Sequence, residues 1–283
     1  MPLALPAVTP FIVEADEPAR DVKRAAVRYL EALLTYPAGG GSVTASRSRL
    51  AGRGLAANGV ATAAPLLDST GSGTVQVIYP QLGGLTADRA SIMAVARVST
   101  LRGRRLSQRT RVLDLRLAKR EGRWLVTGLS STGGRPPSRS TSGDLADRVL
   151  SSRKIVLSDT SAWDIQAGRV DDRLLRLLLR LSRKHTLSVC VLSTGHPQNV
   201  FGGTSVSNHI RGRAVDIWAI DGTRVSAYAR RPDGERNPAW RLMSQAMSHG
   251  ANEIGGPWAF AGRYGASFTN TVHQDHLHLG FKR

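Results

Sequence analysis

A stretch rich in proline, glycine and serine interrupts the 283-residue chain about halfway along its length. Residues 133–143 read GGRPPSRSTSG and show no apolar periodicity, so this stretch has no face to bury in a core. Both flanking halves are long enough to fold, and 41% apolar content favours globular structure. We therefore predict an α+β protein with an accessory domain at 18–132, a linker at 133–148 and a second domain at 149–283.

The first half predicts one helix followed by antiparallel strands. Apolar residues recur at helical spacing from Asp21 to Leu34. Residues 75–82, 90–101 and 109–129 have strand character, with a hairpin turn in the last of them. Residues 42–72 have weak periodicity and support no assignment.

The pattern of a helix followed by a curved antiparallel sheet resembles the cone-shaped nuclear-transport-factor-type fold over residues 18–131. The last hairpin turns at Glu121-Gly122, and its closing strand carries Gly122, Trp124 and Val126 at alternate positions. Members of that fold include enzymes and non-catalytic accessory domains, and no acid/base cluster is evident in this half, so we expect binding or assembly.

The second half alternates helices and strands. Leucines between Asp171 and Lys184 form an apolar stripe, with arginines on the opposite face. A strand through Val191 follows, then a glycine-rich loop, a strand at 214–218, a helix at about 238–248 and a closing strand. We expect a mixed α+β domain with a small antiparallel sheet.

His209 and Asp216 lie seven residues apart in the segment SNHIRGRAVDIW, residues 207–218. Seven extended residues span about 23 Å, so the two side chains can share one atom only if the chain bends between them. Gly212 permits such a bend. In the strand that follows, Asp216 points away from the apolar face formed by Val215 and Ile217, which is the arrangement of a metal site.

A second pair of histidines lies at the C-terminal end of the sequence. Alternation along HLHLGF places His276 and His278 on one face, about 7 Å apart, and the intervening apolar residues on the other. One imidazole can therefore bind a metal while the other reaches the metal's water.

These two motifs carry a family resemblance over residues 150–283. Ser207, His209, Gly212, Ala214 and Asp216 reproduce S-x-H-x-x-G-x-A-x-D, and residues 276–278 reproduce H-x-H. The segment resembles the zinc D-Ala-D-Ala metallopeptidases and their peptidoglycan-cleaving and hedgehog-type relatives. The resemblance implies a Zn²⁺ cofactor, amide hydrolysis in cell-wall peptides by a carboxy- or endopeptidase, and an extracytoplasmic location.

Carried over residue by residue, the resemblance makes His209, Asp216 and His278 the zinc ligands and His276 the general base or transition-state stabiliser. One position departs from the carboxypeptidase pattern, because His196 follows Ser193-Thr194-Gly195 where that group tends to have arginine. Imidazole can donate to a substrate oxygen but lacks the bidentate fork of arginine.

Other polar residues near the motifs have two interpretations each. His273 and Asp275 either orient a ligand imidazole or belong to an exposed loop, and Ser207 is expected to support its loop by hydrogen bonding. Glu253 either lines the cleft or has a structural role in its turn. Cys190, the only cysteine, excludes an intrachain disulfide and is expected to be buried.

The formal charge of +18 predicts attraction to polyanions such as an acidic wall polymer, although arginine-rich composition explains it equally well. Nucleic-acid binding would rest on charge alone, since aromatic content is only 5%. No apolar run of about 20 residues predicts a membrane span, and the N-terminal segment makes a poor secretory signal. The rival to an enzyme is a non-catalytic module that keeps the fold and binds a polymer or a protein.

Overall fold

The structure is a computed structural model that describes residues 4–140, 143–260 and 267–283. It is mixed α+β, as predicted, and divides into two compact units between Gly134 and Arg135. We call these the N-terminal and C-terminal units. The predicted linker at 133–148 is too long, because a helix already begins at Asp144; positions 141 and 142 of that stretch lie outside the described residues.

Helices in the N-terminal unit precede its sheet. Helix α1 (Arg20–Leu34) buries the apolar stripe seen in the sequence, including Tyr29 and Leu30. The stretch at 42–72 that supported no assignment contains helix α2 (Val43–Ala51), helix α3 (Val60–Ala63) and a 3₁₀ turn. Ser42 caps α2 by accepting a hydrogen bond from the Ala45 amide at 3.1 Å. The start of this helix is therefore defined by its cap and not by a periodic apolar stripe.

The sheet of this unit is an antiparallel meander. It has the order β1 (Ser72–Leu85), β2 (Arg89–Arg102), β3 (Arg105–Arg120) and β4 (Arg123–Ser131). The predicted turn joins β3 to β4 with positive φ at both Glu121 and Gly122, 48° and 78°, as a two-residue hairpin loop requires. Register shifts in the β1–β2 and β3–β4 pairs mark bulges, which bend a sheet.

A buried polar cluster ties α1 to β1. The Lys23 ammonium, 0% exposed, lies 2.6 Å from the Glu17 carboxylate and 3.3 Å from the Tyr79 hydroxyl. Tyr79 in turn donates to Glu17 at 2.6 Å. Each charge thus contacts the opposite charge and the Tyr79 hydroxyl, and removal of one charge would leave the other buried without this ion pair.

The C-terminal unit surrounds one sheet with helices. The helices are α4 (Asp144–Leu150), α5 (Asp159–Gln166), α6 (Asp172–Leu181), α7 (Val225–Ala229) and α8 (Pro238–Ser248). Helix α6 buries five of its six leucines, the five predicted to face the core, and ends three residues before Lys184. The predicted helix at about 238–248 is α8.

Its strands are β5 (Ile155–Val156), β6 (Leu187–Val191), β7 (Ala214–Ile220), β8 (Thr223–Arg224), β9 (Glu253–Gly255), β10 (Ser267–Phe268) and β11 (Leu277–Gly280). Their order is β10-β9-β11-β7-β6-β5, with β8 paired to β7. The prediction of an antiparallel sheet is wrong in part, because β10 pairs with β9, and β5 with β6, in parallel. Both parallel strands are two-residue edge strands, too short to leave a periodic signal.

The central strands separate an apolar face from a polar one. Val215 and Ile217 on β7 and Leu277 and Leu279 on β11 are 0% exposed and belong to one hydrophobic core. Cys190 on β6 is buried, as predicted. Among the described residues, no helix has the length and apolar character needed to cross a bilayer.

We predict that Lys23→Met lowers the free energy of unfolding of the N-terminal unit by about 3–5 kcal/mol, because Glu17 would be left buried without its counter-ion. Hydrogen exchange of the α1 and β1 amides under native conditions measures the effect. The double variant Glu17→Gln/Lys23→Met should recover much of the loss, and Lys119→Met, at an exposed lysine, is the control. Equal exchange in the single and double variants would contradict the uncompensated charge as the cause.

Candidate metal centre

Strand pairing brings Asp216 and His278 together. They are direct partners in the antiparallel β7–β11 ladder, so their side chains project from the same face of the sheet. His278 Nδ1 lies 3.0 Å from Asp216 Oδ1. Both residues are buried, at 8% and 1% exposure. The predicted alternation of polar and apolar faces on these strands is therefore what positions the pair.

A sharp bend returns His209 to the same point. Gly212 adopts a φ of 68°, and its amide closes a turn on the His209 carbonyl at 2.9 Å. An added Cβ at Gly212 would lie 1.8 Å from the Arg169 carbonyl oxygen. Glycine is thus required here both for its conformation and for its lack of a side chain.

Hydrogen bonding sets the orientation of the His209 ring. Nδ1 lies 2.7 Å from the Leu192 carbonyl oxygen, which only accepts, so Nδ1 carries the proton and Nε2 keeps its lone pair. Nε2 lies 3.1 Å from Asp216 Oδ1 and 3.1 Å from His278 Nδ1. Ser207 Oγ accepts from the His209 amide at 3.2 Å, the loop-supporting role expected from the sequence.

Three potential ligand atoms therefore form a nearly equilateral triangle in a buried site. Burial acts to raise the pKa of Asp216, but electrostatic interactions with His209 and His276 and side-chain hydrogen bonds outweigh it and hold the pKa well below its usual value. Burial acts to lower the pKa of His278, but its interactions with Asp216 and Glu253 raise the pKa to about 9. A proton on His278 thus offsets part of the negative charge of Asp216 and Glu253. A divalent cation would offset more of that charge.

His276 lies beside this triangle. Its Nδ1 is 2.7 Å from Asp275 Oδ1, which orients the ring and leaves Nε2 as the basic nitrogen. Nε2 is 3.8 Å from Asp216 Oδ2. His276 and Asp275 are 2% and 0% exposed, so Asp275 is not part of an exposed loop.

Two more imidazoles border the site. His196 stacks on His209 with ring centroids 4.1 Å apart, and His273 lies 4.9 Å from the His276 ring and 5.9 Å from the His278 ring. Burial, followed by the nearby histidine charges, lowers the pKa of both His196 and His273 well below the usual value. Both rings are therefore neutral near pH 7 and carry one donor and one acceptor each.

Asp164 anchors the loop that carries His196, and sequence reasoning missed it. Its buried carboxylate accepts from the Ser193 amide at 3.1 Å, the Thr194 amide at 2.7 Å and the Thr194 hydroxyl at 2.6 Å. Arg169 adds an ion pair at 3.2 Å. The sequence offers no signal for this role, because Asp164 lies within α5, some thirty residues before the loop it holds.

Glu253 also faces the site, although its turn favoured a structural role from sequence. Its Oε2 lies 3.8 Å from His278 Nε2 and accepts a hydrogen bond from Asn208. Burial acts to raise the pKa of Glu253, but interactions with His278 and Asn208 lower it to about 2. The Glu253 carboxylate therefore stabilises a proton on His278 Nε2. The sequence shows only that residue 253 is acidic, because the β9–β11 pairing that brings it to the site is not visible in the sequence.

The cluster can hold a metal ion. One ligand atom from each of His196, His209 and Asp216 lies within 4.8 Å of the others. His278 offers an alternative third ligand at shorter distances, 3.0 and 3.1 Å. Ligands about 2.0–2.1 Å from a tetrahedral zinc lie about 3.3 Å apart, so the second trio is close to the spacing that zinc needs.

Comparisons with known proteins add no assignment: no family model matches the chain, and neither a curated protein nor a solved structure matches it.

We predict that Gly212→Ala destabilises the C-terminal unit and abolishes metal binding, whereas Gly222→Ala does neither to the same degree. Both glycines have positive φ, 68° and 78°, but a Cβ at Gly222 meets nothing within 4 Å. The penalty of roughly 1–2 kcal/mol for a left-handed backbone conformation is common to both variants. The difference in their stability therefore measures the overlap between the Cβ of residue 212 and the Arg169 carbonyl. Urea unfolding followed by tryptophan fluorescence, with metal titration, measures it. Equal stability of the two variants would contradict the steric requirement.

We predict that metal binding releases at least one proton per chain at pH 7. The pKa of His278 is raised above the usual 6.5 to about 9, so its ring is protonated below about pH 9 and a metal must displace that proton. Apparent affinity should therefore rise with pH and level off above about 9. Calorimetry of Zn²⁺ binding in buffers of different ionisation enthalpy counts the protons. Affinity independent of pH between 6.5 and 8 would contradict the prediction.

Proposed function

We propose that the protein is a zinc-dependent peptidase that acts on cell-wall peptides. The observation that carries the proposal is the triangle of His209, Asp216 and His278 ligand atoms, 3.0–3.1 Å apart and buried. The resemblance of both motifs to the zinc D-Ala-D-Ala metallopeptidases supplies the reaction class and the substrate. The distances between the ligand atoms support a metal site, and the sequence motifs support the reaction class. The first argument does not use the family resemblance.

We assign the ion to His209, Asp216 and His278 rather than to the trio with His196. A histidine nitrogen binds a metal along its lone pair, which lies in the plane of the ring. The His196 and His209 rings are inclined by only 15° and stacked, so one ion cannot lie in both planes. The His278 ring is inclined by 63° to that of His209, which lets the two lone pairs converge.

Zinc is the metal that this ligand set favours. The ligands are two imidazoles and one carboxylate, and three protein ligands with an open position are typical of catalytic zinc. The buried Cys190 belongs to strand β6 and is not among the grouped ligands. Bound there, zinc would act as a Lewis acid and lower the pKa of a water in the open position.

The protein's own groups would handle the proton and the substrate. His276, with its Nδ1 proton held by Asp275, presents Nε2 as the acceptor for a proton from the attacking water. The same nitrogen can then deliver the proton to the leaving amine. Neutral His196 and His273 border the ligand triangle, and because their Nδ1 protons are held by Pro197 and Asn270, the Nε2 of each can accept a hydrogen bond from a substrate N–H. We therefore propose His276 as the general base and the other two as substrate contacts.

The substrate is a peptidoglycan peptide. An arginine would clamp a carboxylate with two donors, whereas the one N–H of neutral His196 is held by the Pro197 carbonyl, so the site is suited to an internal amide at least as well as to a free C-terminal D-Ala. The formal charge of +18 favours retention on an anionic wall polymer, and an extracytoplasmic location follows from such a substrate.

The N-terminal unit serves this peptidase as an accessory domain. Its helix-and-meander arrangement is that expected of the cone-shaped nuclear-transport-factor-type fold. Its buried Lys23–Glu17–Tyr79 cluster lies in the packed interior, where a substrate would not reach it. Binding or assembly therefore remains its proposed role.

The alternative is a non-catalytic module that keeps the metal, and one observation favours it. His196 is near enough to be a fourth ligand if its ring turns away from the stack on His209. Four protein ligands close a zinc site and make it structural. Such a module would bind zinc without hydrolysing wall peptides.

We predict about one zinc per chain in the wild type, with loss of zinc in His209→Ala, Asp216→Ala and His278→Ala. His276→Gln should keep the zinc and slow hydrolysis of wall peptides by roughly 10²–10⁴-fold, the usual contribution of a general base. Elemental analysis and mass spectrometry of peptidoglycan digests, with and without chelator, are the measurements. His249→Ala, an exposed histidine outside the cluster, is the matched control and should change neither.

The possible outcomes separate the candidates. Zinc in the wild type with no chelator-sensitive digestion would favour the non-catalytic module. Absence of zinc from freshly purified, metal-supplemented protein would overturn the hydrolase. Loss of zinc in His196→Ala, but not in His278→Ala, would reverse the ligand assignment.

A further inference from the structure

A cavity of about 650 Å³ opens within the N-terminal unit. Its walls are the extended segment 11–13, one face of α1, the turn at 54–56 and the start of the edge strand β4. Pockets of about 300–1,000 Å³ typically hold small molecules. The peptidase proposal does not use this cavity.

Four arginines give the cavity a strong positive charge. Arg20, Arg24 and Arg28 follow one another at four-residue spacing along α1, and Arg123 faces them from β4. Within the part of the chain that the structure describes, none of the four is ion-paired with a carboxylate. Glu31 is the one acidic residue in the lining, and burial raises its pKa.

This arrangement acts against the stability of the helix. Like charges four residues apart on one helix face repel each other, and here the repulsion occurs twice in succession. Arg28 is also held in place, because its guanidinium donates to the Arg53 carbonyl at 2.8 Å. A bound anion would relieve the repulsion and satisfy the remaining guanidinium donors.

Apolar side chains adjoin the charges. Ile12 is 75% exposed and Leu125 is 37% exposed, and both line the cavity with Phe11, Leu55 and Trp124. Large apolar groups exposed beside charged ones indicate a ligand that has both characters. A sugar phosphate or a nucleic-acid backbone would leave this apolar surface in water.

We propose that the cavity binds an anionic amphiphile, with a phosphate or carboxylate head group on the arginines and an alkyl chain on the apolar wall. Guanidinium groups bind such head groups through paired N–H donors, and the charge-assisted bonds are stronger than neutral ones. The exposed Ile12 and Leu125 side chains would then lose contact with water as the alkyl chain packs on them.

Calorimetry on the full-length protein tests the proposal, with dodecyl phosphate kept below its critical micelle concentration. We expect one equivalent to bind. Inorganic phosphate, which has the charge without the chain, and dodecylphosphocholine, which has the chain with a zwitterionic head, should each bind at least ten times more weakly. These two probes separate the contributions of the head and the chain.

Substitutions locate the site. Arg24→Ala and Arg123→Ala should each weaken dodecyl phosphate binding by about tenfold, and Ile12→Asp should weaken it at least as much. Arg97→Ala, an exposed arginine of β2 outside the cavity, should leave the affinity unchanged. All four positions are exposed, so the variants should fold, and circular dichroism checks this.

Three results would overturn the proposal. Equal affinity for inorganic and dodecyl phosphate would mean a plain anion site. Equal affinity for dodecyl phosphate and the zwitterion would mean nonspecific binding of detergent. Affinity that falls no further in Arg24→Ala and Arg123→Ala than in Arg97→Ala would place binding elsewhere. None of these results bears on zinc content or peptide hydrolysis, so this proposal and the peptidase proposal fail separately.

Discussion

The pairing of β7 with β11 is the constraint on which the candidate metal centre depends. It places Asp216 opposite His278 and leaves their apolar neighbours in the core on the other face. A slip of one residue in this register would exchange the two faces and bury leucines where the ligands lie. The apolar core therefore fixes the relative position of two proposed ligands from distant parts of the chain, and only His209 has to be brought in by a separate feature, the bend at Gly212.

Hydrogen bonds to oxygen atoms complete the arrangement by giving the histidines defined protonation. His196, His209, His273 and His276 each place Nδ1 2.7 Å from a carbonyl, amide or carboxylate oxygen, so each keeps a lone pair on Nε2. His278 has the opposite orientation, with Nε2 toward Glu253 and Nδ1 toward the ligand triangle. A site with so many imidazoles would otherwise have several competing tautomers, and the surrounding acceptors remove that freedom.

The sequence predicts those features of the fold and the site that arise from local patterns. Strand alternation at 214–218 and 276–281, the bend at Gly212, the helices near 21–34 and 238–248 and the turn at Glu121-Gly122 all follow from periodicity or from the special conformations of glycine. The helices within 42–72 were not predicted, because capping by Ser42 rather than an apolar stripe defines the first of them. Asp164 and Glu253 reach the site through tertiary contacts between segments far apart in sequence, and composition and spacing carry no record of such contacts. The parallel edge strands β5 and β10 were missed for a related reason, since two residues are too few to show a period.

The position of the His196 ring decides whether a bound metal would have three protein ligands and an open coordination position, or four protein ligands and none. Its stack on His209 keeps the ring plane away from the ligand triangle, and Asp164 holds the preceding residues in place through three hydrogen bonds. The Nδ1 contact with the Pro197 carbonyl adds a further restraint at 2.7 Å. Rotation of the ring toward a metal would break both the stack and this hydrogen bond inside a largely buried site, where a lost hydrogen bond is not replaced by water. The anchored loop thus opposes a fourth protein ligand, and three protein ligands with an open position beside His276 would be the arrangement that the proposed hydrolysis needs.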